Sequence, residues 1–439
     1  MIHLANILVV SDDAALGQDL LAMVRRHGYD GRLVHSQDAA LATARQEHPD
    51  VVLIGPSLQD GGPMSLGRAL KALPECRDIP VCLYTPDLSG EIRRDAYAAG
   101  IDDVMSSPIT DQKLLARLRP LVRLSTMYAE LHQRARTARR FGVEVEDNLP
   151  RVEIEGTYNL LIVGEDGEDM RAPLSADAKI THVADPFLAE DALDSASFDI
   201  ALVAPPEAPA TYLDLCAQIR NNPRLFNMPV LVLAKPDQVG EDTAYHHGAS
   251  ARYERPVNPL ALQTTALSLV RRQRQRWAIR QSLQKTLQSA TRDASTGVYN
   301  RAFMDAYLTD QLDFAKAHGR HLSVMFFRIP DVEGIRQRFG DEQADHLRLQ
   351  LAQWIGSLLR GEDLVARYEE NEFCVILPDT PKGEAEVVMH RIAGVLTYTD
   401  FAVKDVYQPV KVWVRVGGAD LGPDDDLNGL LARARHNIV

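Results

Sequence analysis

The chain has 439 residues, which is enough for about three domains that can each bury a hydrophobic core. Hydrophobic residues make up 45% and charged residues 25% of the sequence, as in ordinary globular proteins. The formal net charge of −13 argues against a general nucleic-acid-binding protein, which needs clustered positive charge. No signal sequence and no membrane-spanning apolar run is present, so we expect a cytoplasmic protein without membrane insertion.

The four cysteines lie far apart in the sequence. Cys76, Cys82, Cys216 and Cys374 form no CxxC or Cys/His pattern that would hold a metal. We therefore expect buried thiols in a reducing compartment.

Residues 1–125 alternate short β-branched runs with amphipathic segments, which predicts an α/β domain with a parallel sheet. The predicted strands and helices are Ile7–Val10, Leu16–Arg26, Val51–Ile54, Leu66–Leu73 and Pro80–Tyr84.

The same pattern returns in residues 151–270, with strands predicted at Leu160–Val163, Phe198–Val203 and Pro229–Ala234. This indicates an internal duplication. Long charged helices are predicted at Asp111–Arg140 and Leu260–Thr291, so residues 126–150 and 271–290 are expected to be helical linkers.

The second of these helices contains a basic run, residues 271–277. A basic run on a helix is usually a solvated face, and that is our prediction here, with an anionic partner as the alternative.

Both repeats resemble the receiver domains of response regulators, which implies two flavodoxin-like folds. Phosphotransfer in a receiver needs an Asp at the end of the third strand, because a carboxylate must form the acyl phosphate. Gly55 and Ala204 occupy the acceptor positions, while Ser107 and Arg255 replace the Lys that precedes a proline. Neither repeat is expected to be a phosphoacceptor, so docking and dimerisation remain as their role.

Residues 291–439 carry a third set of motifs. The segment 293–301 reads Asp-Ala-Ser-Thr-Gly-Val-Tyr-Asn-Arg, and Arg360-Gly-Glu-Asp363 precedes Glu369-Glu370-Asn371-Glu372-Phe373 by five residues. These motifs resemble the opening segment, the RxxD motif and the hairpin of GGDEF domains, the diguanylate cyclase family. The resemblance implies an α+β domain with a ferredoxin/adenylyl-cyclase-like sheet.

The resemblance also implies that the catalytic positions are altered. Arg328 replaces a metal-binding Asp, Glu369 and Glu370 replace the hairpin glycines, and Asn371 replaces an acidic residue. Mg²⁺ requires oxygen ligands, and an Arg cannot coordinate it. The family's closing segment, with its phosphate-binding Lys, reads Ala434-Arg-His-Asn-Ile-Val439 here. We therefore expect a degenerate cyclase with no catalytic residues and no metal, that is, not an enzyme.

The RxxD motif is retained. In the family it binds cyclic di-GMP, and an Arg on the following helix completes the site, so the resemblance assigns Arg360, Asp363 and Arg391 to this ligand. The alternative is a structural turn, since RxxD also occurs at Arg338–Asp341, where the family has no site. No cofactor is expected.

The order receiver, receiver, GGDEF resembles the PleD family of response regulators. Together with the altered hairpin, the retained RxxD and the degenerate receivers, the resemblance implies a cyclic di-GMP effector or adaptor in two-component signalling and the cell cycle, present as a homodimer at the cell pole. Its implied partners are RcdA, CtrA and the ClpXP protease, with no nucleic acid. Two alternatives remain: a cyclase with residual activity, and a structural dimerisation partner that binds no nucleotide.

Overall fold

The computed structural model describes residues 4–59, 61–86, 89–106, 108–150, 157–222, 224–404 and 407–438. The chain divides into two compact units. The double-sheet unit comprises residues 5–125 and 150–278, and the single-sheet unit comprises residues 1–4, 126–149 and 279–439. None of the helices in the described ranges combines the length and apolarity needed to cross a membrane.

The first half of the double-sheet unit is a five-stranded parallel sheet with strand order β2-β1-β3-β4-β5. Its apolar strands are almost fully buried, as expected when helices cover both faces. The elements are β1 (Asn6–Val10), α1 (Ala14–Arg26), β2 (Asp30–Val34), α2 (Gln37–Glu47), β3 (Val51–Ile54), α3 (Gly62–Ala72), β4 (Val81–Thr85), α4 (Gly90–Ala98), β5 (Asp103–Ser106) and α5 (Asp111–Arg140).

The second half repeats this topology in a parallel sheet with strand order β7-β6-β8-β9-β10. Together the two sheets confirm the predicted duplication and its flavodoxin-like topology. The elements are β6 (Tyr158–Gly164), α6 (Glu168–Arg171), β7 (Ala178–Val183), α7 (Pro186–Ser195), β8 (Ile200–Ala204), α8 (Ala210–Asn221), β9 (Val230–Ala234), α9 (Glu241–His246), β10 (Ala251–Glu254) and α10 (Pro259–Lys285).

A buried carboxylate joins the two halves of the double-sheet unit. Asp103 accepts from Arg117 at 3.1 Å and from Arg272 of α10 at 3.2 Å. Although burial acts in the opposite direction, these guanidinium groups hold the pKa of Asp103 below its ordinary value. The halves are therefore held by a paired, desolvated charge cluster as well as by apolar packing.

The single-sheet unit is built on four antiparallel strands in the order β12-β13-β11-β14. This is the α+β architecture predicted for this part of the chain. The elements, which follow the end of α5 and α10, are α11 (Arg301–His318), β11 (Leu322–Arg328), α12 (Asp331–Phe339), α13 (Asp341–Ser357), β12 (Leu364–Glu369), β13 (Glu372–Pro378), α14 (Lys382–Tyr398), β14 (Arg415–Asp420) and α15 (Leu427–His436).

Strand β11 is hydrophobic on both faces because helices cover both sides of the sheet. Val324 and Phe326 pack with α11, α15 and the end of α5, whereas Met325 and Phe327 pack with α12, α13 and α14. Alternate residues of a strand point to opposite faces, so a continuous apolar run indicates a central strand.

A buried polar cluster fixes the end of α5 within the single-sheet unit. Glu130 accepts hydrogen bonds from Gln311 at 2.5 Å and from the Tyr307 hydroxyl, and it pairs with Arg134 at 3.3 Å. Arg134 also donates to the carbonyl oxygen of Glu362. Burial raises the pKa of Glu130 to about 7, although Arg134 and Tyr307 act in the opposite direction.

Two sequence predictions about α10 were wrong. The helix ends at Lys285, six residues before Thr291. The basic run is not a solvated face, since Arg272, Gln273, Gln275 and Arg276 are all buried. Charge count alone could not show this, because the run packs within the double-sheet unit through the long aliphatic stems and hydrogen bonds of its side chains.

The Glu130 cluster predicts a pH-dependent stability. An acid whose pKa rises on folding binds its proton more tightly in the folded state, so its contribution decreases as pH rises from about 4.5 to about 7. Relative to Glu130→Gln, wild-type protein should lose on the order of 2 kcal/mol of unfolding free energy between pH 5 and pH 8. Urea unfolding followed by tryptophan fluorescence measures this, since Trp354 and Trp413 lie in the single-sheet unit. Parallel pH profiles for the two proteins would contradict the assignment.

Candidate functional site

The segment before α11 forms a side-chain-bonded turn followed by a capped helix. Asp293 accepts from the amide of Thr296 at 3.0 Å and from its hydroxyl at 2.7 Å. Asn300 caps α11 by accepting from the amide of Phe303 at 2.9 Å. Both residues therefore have a local structural role, in which short polar side chains satisfy backbone donors.

Strands β12 and β13 form the predicted hairpin, with Glu370 and Asn371 between them. Two-residue hairpin turns usually require positive φ, which favours glycine. Among the described non-glycine residues, positive φ occurs only at His48, Asp237 and Asp379, so this turn needs no glycine. A register shift lies between Arg367 and Glu369, at Tyr368.

Glu372 is the buried centre of the charges at this hairpin. It lies opposite Arg328 in the β11–β13 register, and the two side chains form an ion pair. Its second oxygen lies 3.0 Å from Arg435, which also pairs with Glu369 at 2.9 Å. The Glu372 side chain is 5% exposed, so both cations compensate a desolvated charge.

A second set of ion pairs surrounds the turn. Glu370 pairs with Arg348 at 2.9 Å and with Arg336 at 3.2 Å. Arg348 is buried and also pairs with Asp345 at 2.7 Å, while Arg336 pairs with Glu333 at 2.8 Å. Glu370, Glu333 and Asp345 therefore each face an arginine of the same chain.

These residues do not fit a magnesium site. A cation at the end of β11 would lie beside the Arg328 guanidinium, and two unit charges about 4 Å apart repel by on the order of 4 kcal/mol at an effective dielectric constant of 20. Asn371 supplies no charge, and its backbone carbonyl already accepts from the Ile329 amide at 3.0 Å. Within the described ranges no group of three or more His, Cys, Asp or Glu side chains could hold a metal ion.

The RxxD segment is a tight turn between α13 and β12. Asp363 is buried, and its carboxylate accepts from the Arg360 amide at 2.8 Å. The Asp363 amide in turn donates to the Arg360 carbonyl at 3.2 Å. The half-exposed Arg360 guanidinium makes no hydrogen bond or ion pair to any residue that the structure describes.

Two further arginines lie near this turn. Arg391 of α14 donates to the Leu358 carbonyl at 2.9 Å, so the structure brings it beside the segment that carries Arg360. Arg280 is exposed, and its Cγ lies 3.8 Å from the position that a Cβ would take at Gly361. With Arg134, whose guanidinium donates to the Glu362 carbonyl, four arginines lie at the turn, and the sequence analysis identified only Arg360 and Arg391 among them.

The acceptor positions of the two parallel sheets lack carboxylates. At Gly55, which follows β3, an added Cβ would lie 3.1 Å from Ser11 Oγ and 3.2 Å from Ser11 Cβ. Beside Ala204, Glu165 pairs with Lys235 at 2.9 Å and with Arg255. These three charged side chains occupy the end of the sheet next to Ala204. Ser107 lies outside the described residues.

Known protein families match two parts of the chain. Residues 290–439 match the family described as diguanylate cyclase, GGDEF domain, and residues 7–119 match the response regulator receiver domain. The chain is 29% identical to the response regulator PleD of Caulobacter vibrioides over 443 aligned positions, covering 99% of this chain and 96% of PleD. The chain is similar to PleD over almost its whole length and contains a receiver domain and a GGDEF domain.

Two other relatives match single parts of the chain. The phosphate regulon regulatory protein PhoB of Escherichia coli is 28% identical over 126 residues, covering 28% of this chain and 55% of PhoB. The crystal structure of the GGDEF domain of DgcB from Caulobacter crescentus in complex with c-di-GMP is 21% identical, with a TM-score of 0.33, and covers 34% of this chain and 85% of that one.

Sequence reasoning missed Arg435 as a partner of Glu372 in the GGDEF domain. It treated the segment from Ala434 only as a departure from the family motif. Arg435 lies on α15 and also stacks over the ring of Tyr368 at 5.0 Å. No local pattern reveals this contact, because the partners are more than 60 residues apart and meet only in the folded sheet.

The hairpin charges predict unequal effects of two arginine substitutions. Arg328→Ala removes one of the two cations that compensate buried Glu372 and should cost about 2 kcal/mol of unfolding free energy. Arg336→Ala is the matched control, since its ion pairs are half-exposed and should be worth less than about 1 kcal/mol. Urea unfolding at pH 7 measures both unfolding free energies. Equal losses would show that the Arg328–Glu372 ion pair stabilises the domain no more than the half-exposed pairs of Arg336 do.

Proposed function

We propose that the protein is a cyclic di-GMP-binding effector that does not synthesise cyclic di-GMP. The contrast between two parts of the GGDEF domain carries this proposal. At the hairpin every acidic side chain is paired with an arginine of the same chain, whereas the Arg360 guanidinium makes no hydrogen bond to the described residues.

The absence of cyclase activity follows from the chemistry at the hairpin. Joining two nucleoside triphosphates requires divalent ions on the phosphates, held by carboxylates. Arg328 places a cation next to the expected ion position. Glu369 and Glu370 place two anions beside a polyanionic substrate, and Asn371 supplies only a neutral amide. We therefore assign no catalytic residue and no metal ligand to this domain.

Cyclic di-GMP binding is proposed at Arg360, Asp363 and Arg391. An arginine fork can donate to the O6 and N7 acceptors of guanine, and a carboxylate can accept from its ring and amino donors. The Asp363 carboxylate accepts a hydrogen bond from the Arg360 amide, so the residue that we assign to the ligand also orders this turn. Arg391 adds a second guanidinium fork, which donates to the carbonyl of Leu358, two residues before Arg360.

The two receiver domains are proposed as docking and dimerisation elements without a phosphoacceptor. In this proposal residues 1–125 and 151–270 are the receivers, residues 126–150 and 271–290 are the linkers, and residues 291–439 are the degenerate GGDEF domain. Gly55 and Ala204 lack the carboxylate that an acyl phosphate requires.

Cyclic di-GMP titration tests the ligand site. Isothermal titration calorimetry should show saturable binding to the wild-type chain and at least a tenfold weaker affinity for Arg360→Ala, because a bidentate arginine–guanine pair contributes about 1–3 kcal/mol. Arg338→Ala is the matched control, since exposed Arg338 belongs to the second RxxD and should leave the affinity unchanged. Unchanged affinity in Arg360→Ala would refute the site, and no binding by wild type would favour a nucleotide-free dimerisation partner.

Incubation with GTP and Mg²⁺ followed by anion-exchange chromatography tests the alternative of residual cyclase activity. We expect no cyclic di-GMP above the level of a protein-free control, because the hairpin carries no ligand set for the ions. Product that accumulates in proportion to protein concentration would overturn the proposed loss of catalysis.

The combination of degenerate receivers, an altered hairpin and a retained RxxD resembles PopA, a cyclic di-GMP effector. On that resemblance we extend the proposal to a homodimeric adaptor that acts at the cell pole and delivers CtrA, through RcdA, to ClpXP. The same Arg360→Ala and Arg338→Ala pair applies to this extension. In a reconstituted degradation reaction, only the Arg338 variant should retain ligand-dependent turnover of CtrA.

A further inference from the structure

A cavity rich in arginine lies within the double-sheet unit, among α5, α8, the end of α9 and α10. Its volume is about 400 Å³. Five arginines line it, and we call it the arginine cavity: Arg119, Arg123, Arg220, Arg272 and Arg276. His246 and His247 lie at the same cavity.

The arginine cavity has a charge opposite to that of the whole protein. None of the described residues that line it is Asp or Glu, although the chain carries a formal net charge of −13. Five guanidinium groups around one small volume repel one another, and the effect is stronger where the surroundings exclude water. A concave surface of one sign also raises the local concentration of ions of the opposite sign.

Among the described residues, Arg220 has only neutral hydrogen-bond partners. It donates to the carbonyl oxygens of Gly248 and Met228, both at 2.6 Å, and to the Ser250 hydroxyl at 3.1 Å. Burial lowers the pKa of Arg220 to about 10. Its contacts fix the orientation of the guanidinium, but they supply no negative charge to balance it.

Two neighbouring arginines also contact uncharged groups. Arg276 donates to the carbonyl oxygen of Pro120 at 3.0 Å and to that of Asn227 at 3.3 Å. Arg123 stacks over the ring of Phe226 at 4.1 Å. Arg119 is exposed and makes no hydrogen bond to the residues that the structure describes. Arg272 is different, because it pairs with Asp103 at 3.2 Å.

We propose that the arginine cavity binds a small phosphorylated anion of about nucleotide size. Planar guanidinium forks match phosphate oxygens in geometry and in charge. The volume falls in the range of small-molecule sites, about 300–1,000 Å³. This site shares no residue with the Arg360 turn, so the inference stands independently of the proposed cyclic di-GMP site.

Calorimetric titration of the full chain with inorganic tripolyphosphate tests the proposal. Wild type should bind one equivalent saturably, and the double variant Arg119→Ala/His246→Ala should bind at least tenfold more weakly. Both substituted side chains are exposed, so the fold should be retained. Arg68→Ala is the matched control, an exposed arginine on α3 away from the cavity, and should bind as wild type does.

Two comparisons separate this site from others and identify its ligand. Arg360→Ala should keep tripolyphosphate binding, and the double variant should keep cyclic di-GMP binding. Loss of binding at one site can therefore be distinguished from loss at the other. GTP binding more tightly than tripolyphosphate, with the same loss in the double variant, would indicate a nucleotide. Equal affinities would indicate that the phosphate chain alone is recognised.

Three results would overturn the proposal. These are no saturable binding at millimolar tripolyphosphate, equal binding by wild type and the double variant, and binding of hexaglutamate but not of tripolyphosphate. The last would show that the arginine cavity recognises an acidic peptide.

Discussion

The negative charge of Glu372 has to be balanced inside the GGDEF domain, and much of the surrounding geometry follows from this requirement. Its carboxylate lies on a central strand and is almost fully buried. An unpaired carboxylate there would cost several kcal/mol, so the group needs compensating positive charge. Arg328 and Arg435 supply it from the adjacent strand and from α15. The position where the family resemblance places a metal ligand is thus occupied by a side chain that the fold itself requires.

The same principle distinguishes the two ends of the domain. At the hairpin, arginines and glutamates satisfy one another, and the resulting network needs no ligand. At the RxxD turn, the Arg360 amide donates to one oxygen of Asp363 and Arg391 donates to the Leu358 carbonyl, while the Arg360 guanidinium makes no hydrogen bond to the described residues. Beneath this turn, Arg134 of α5 binds the Glu362 carbonyl as part of the Glu130 cluster. The turn is therefore supported by a buried polar network and not only by its own four residues.

Much of the fold was predictable from sequence because local patterns determine it. The strands β1, β3, β6 and β9 and helix α5 lie within about one or two residues of their predicted bounds. The four cysteines are buried and free, as predicted. Asn371 could be assigned to the hairpin because flanking motifs set its register. Contacts between distant segments were not predictable. Arg435, Arg280 and the buried arginines of α10 depend on which surfaces meet after folding, and hydrophobic periodicity contains no information about this.

The surroundings of Gly55 have a consequence for how this protein can change. Ser11 lies so close that even a methyl group at position 55 would press against it, and the Gly55 amide donates to the Val10 carbonyl at 2.7 Å. Any side chain at position 55 therefore requires Ser11 to give way by a few tenths of an ångström, so the identity of residue 11 decides what position 55 can carry.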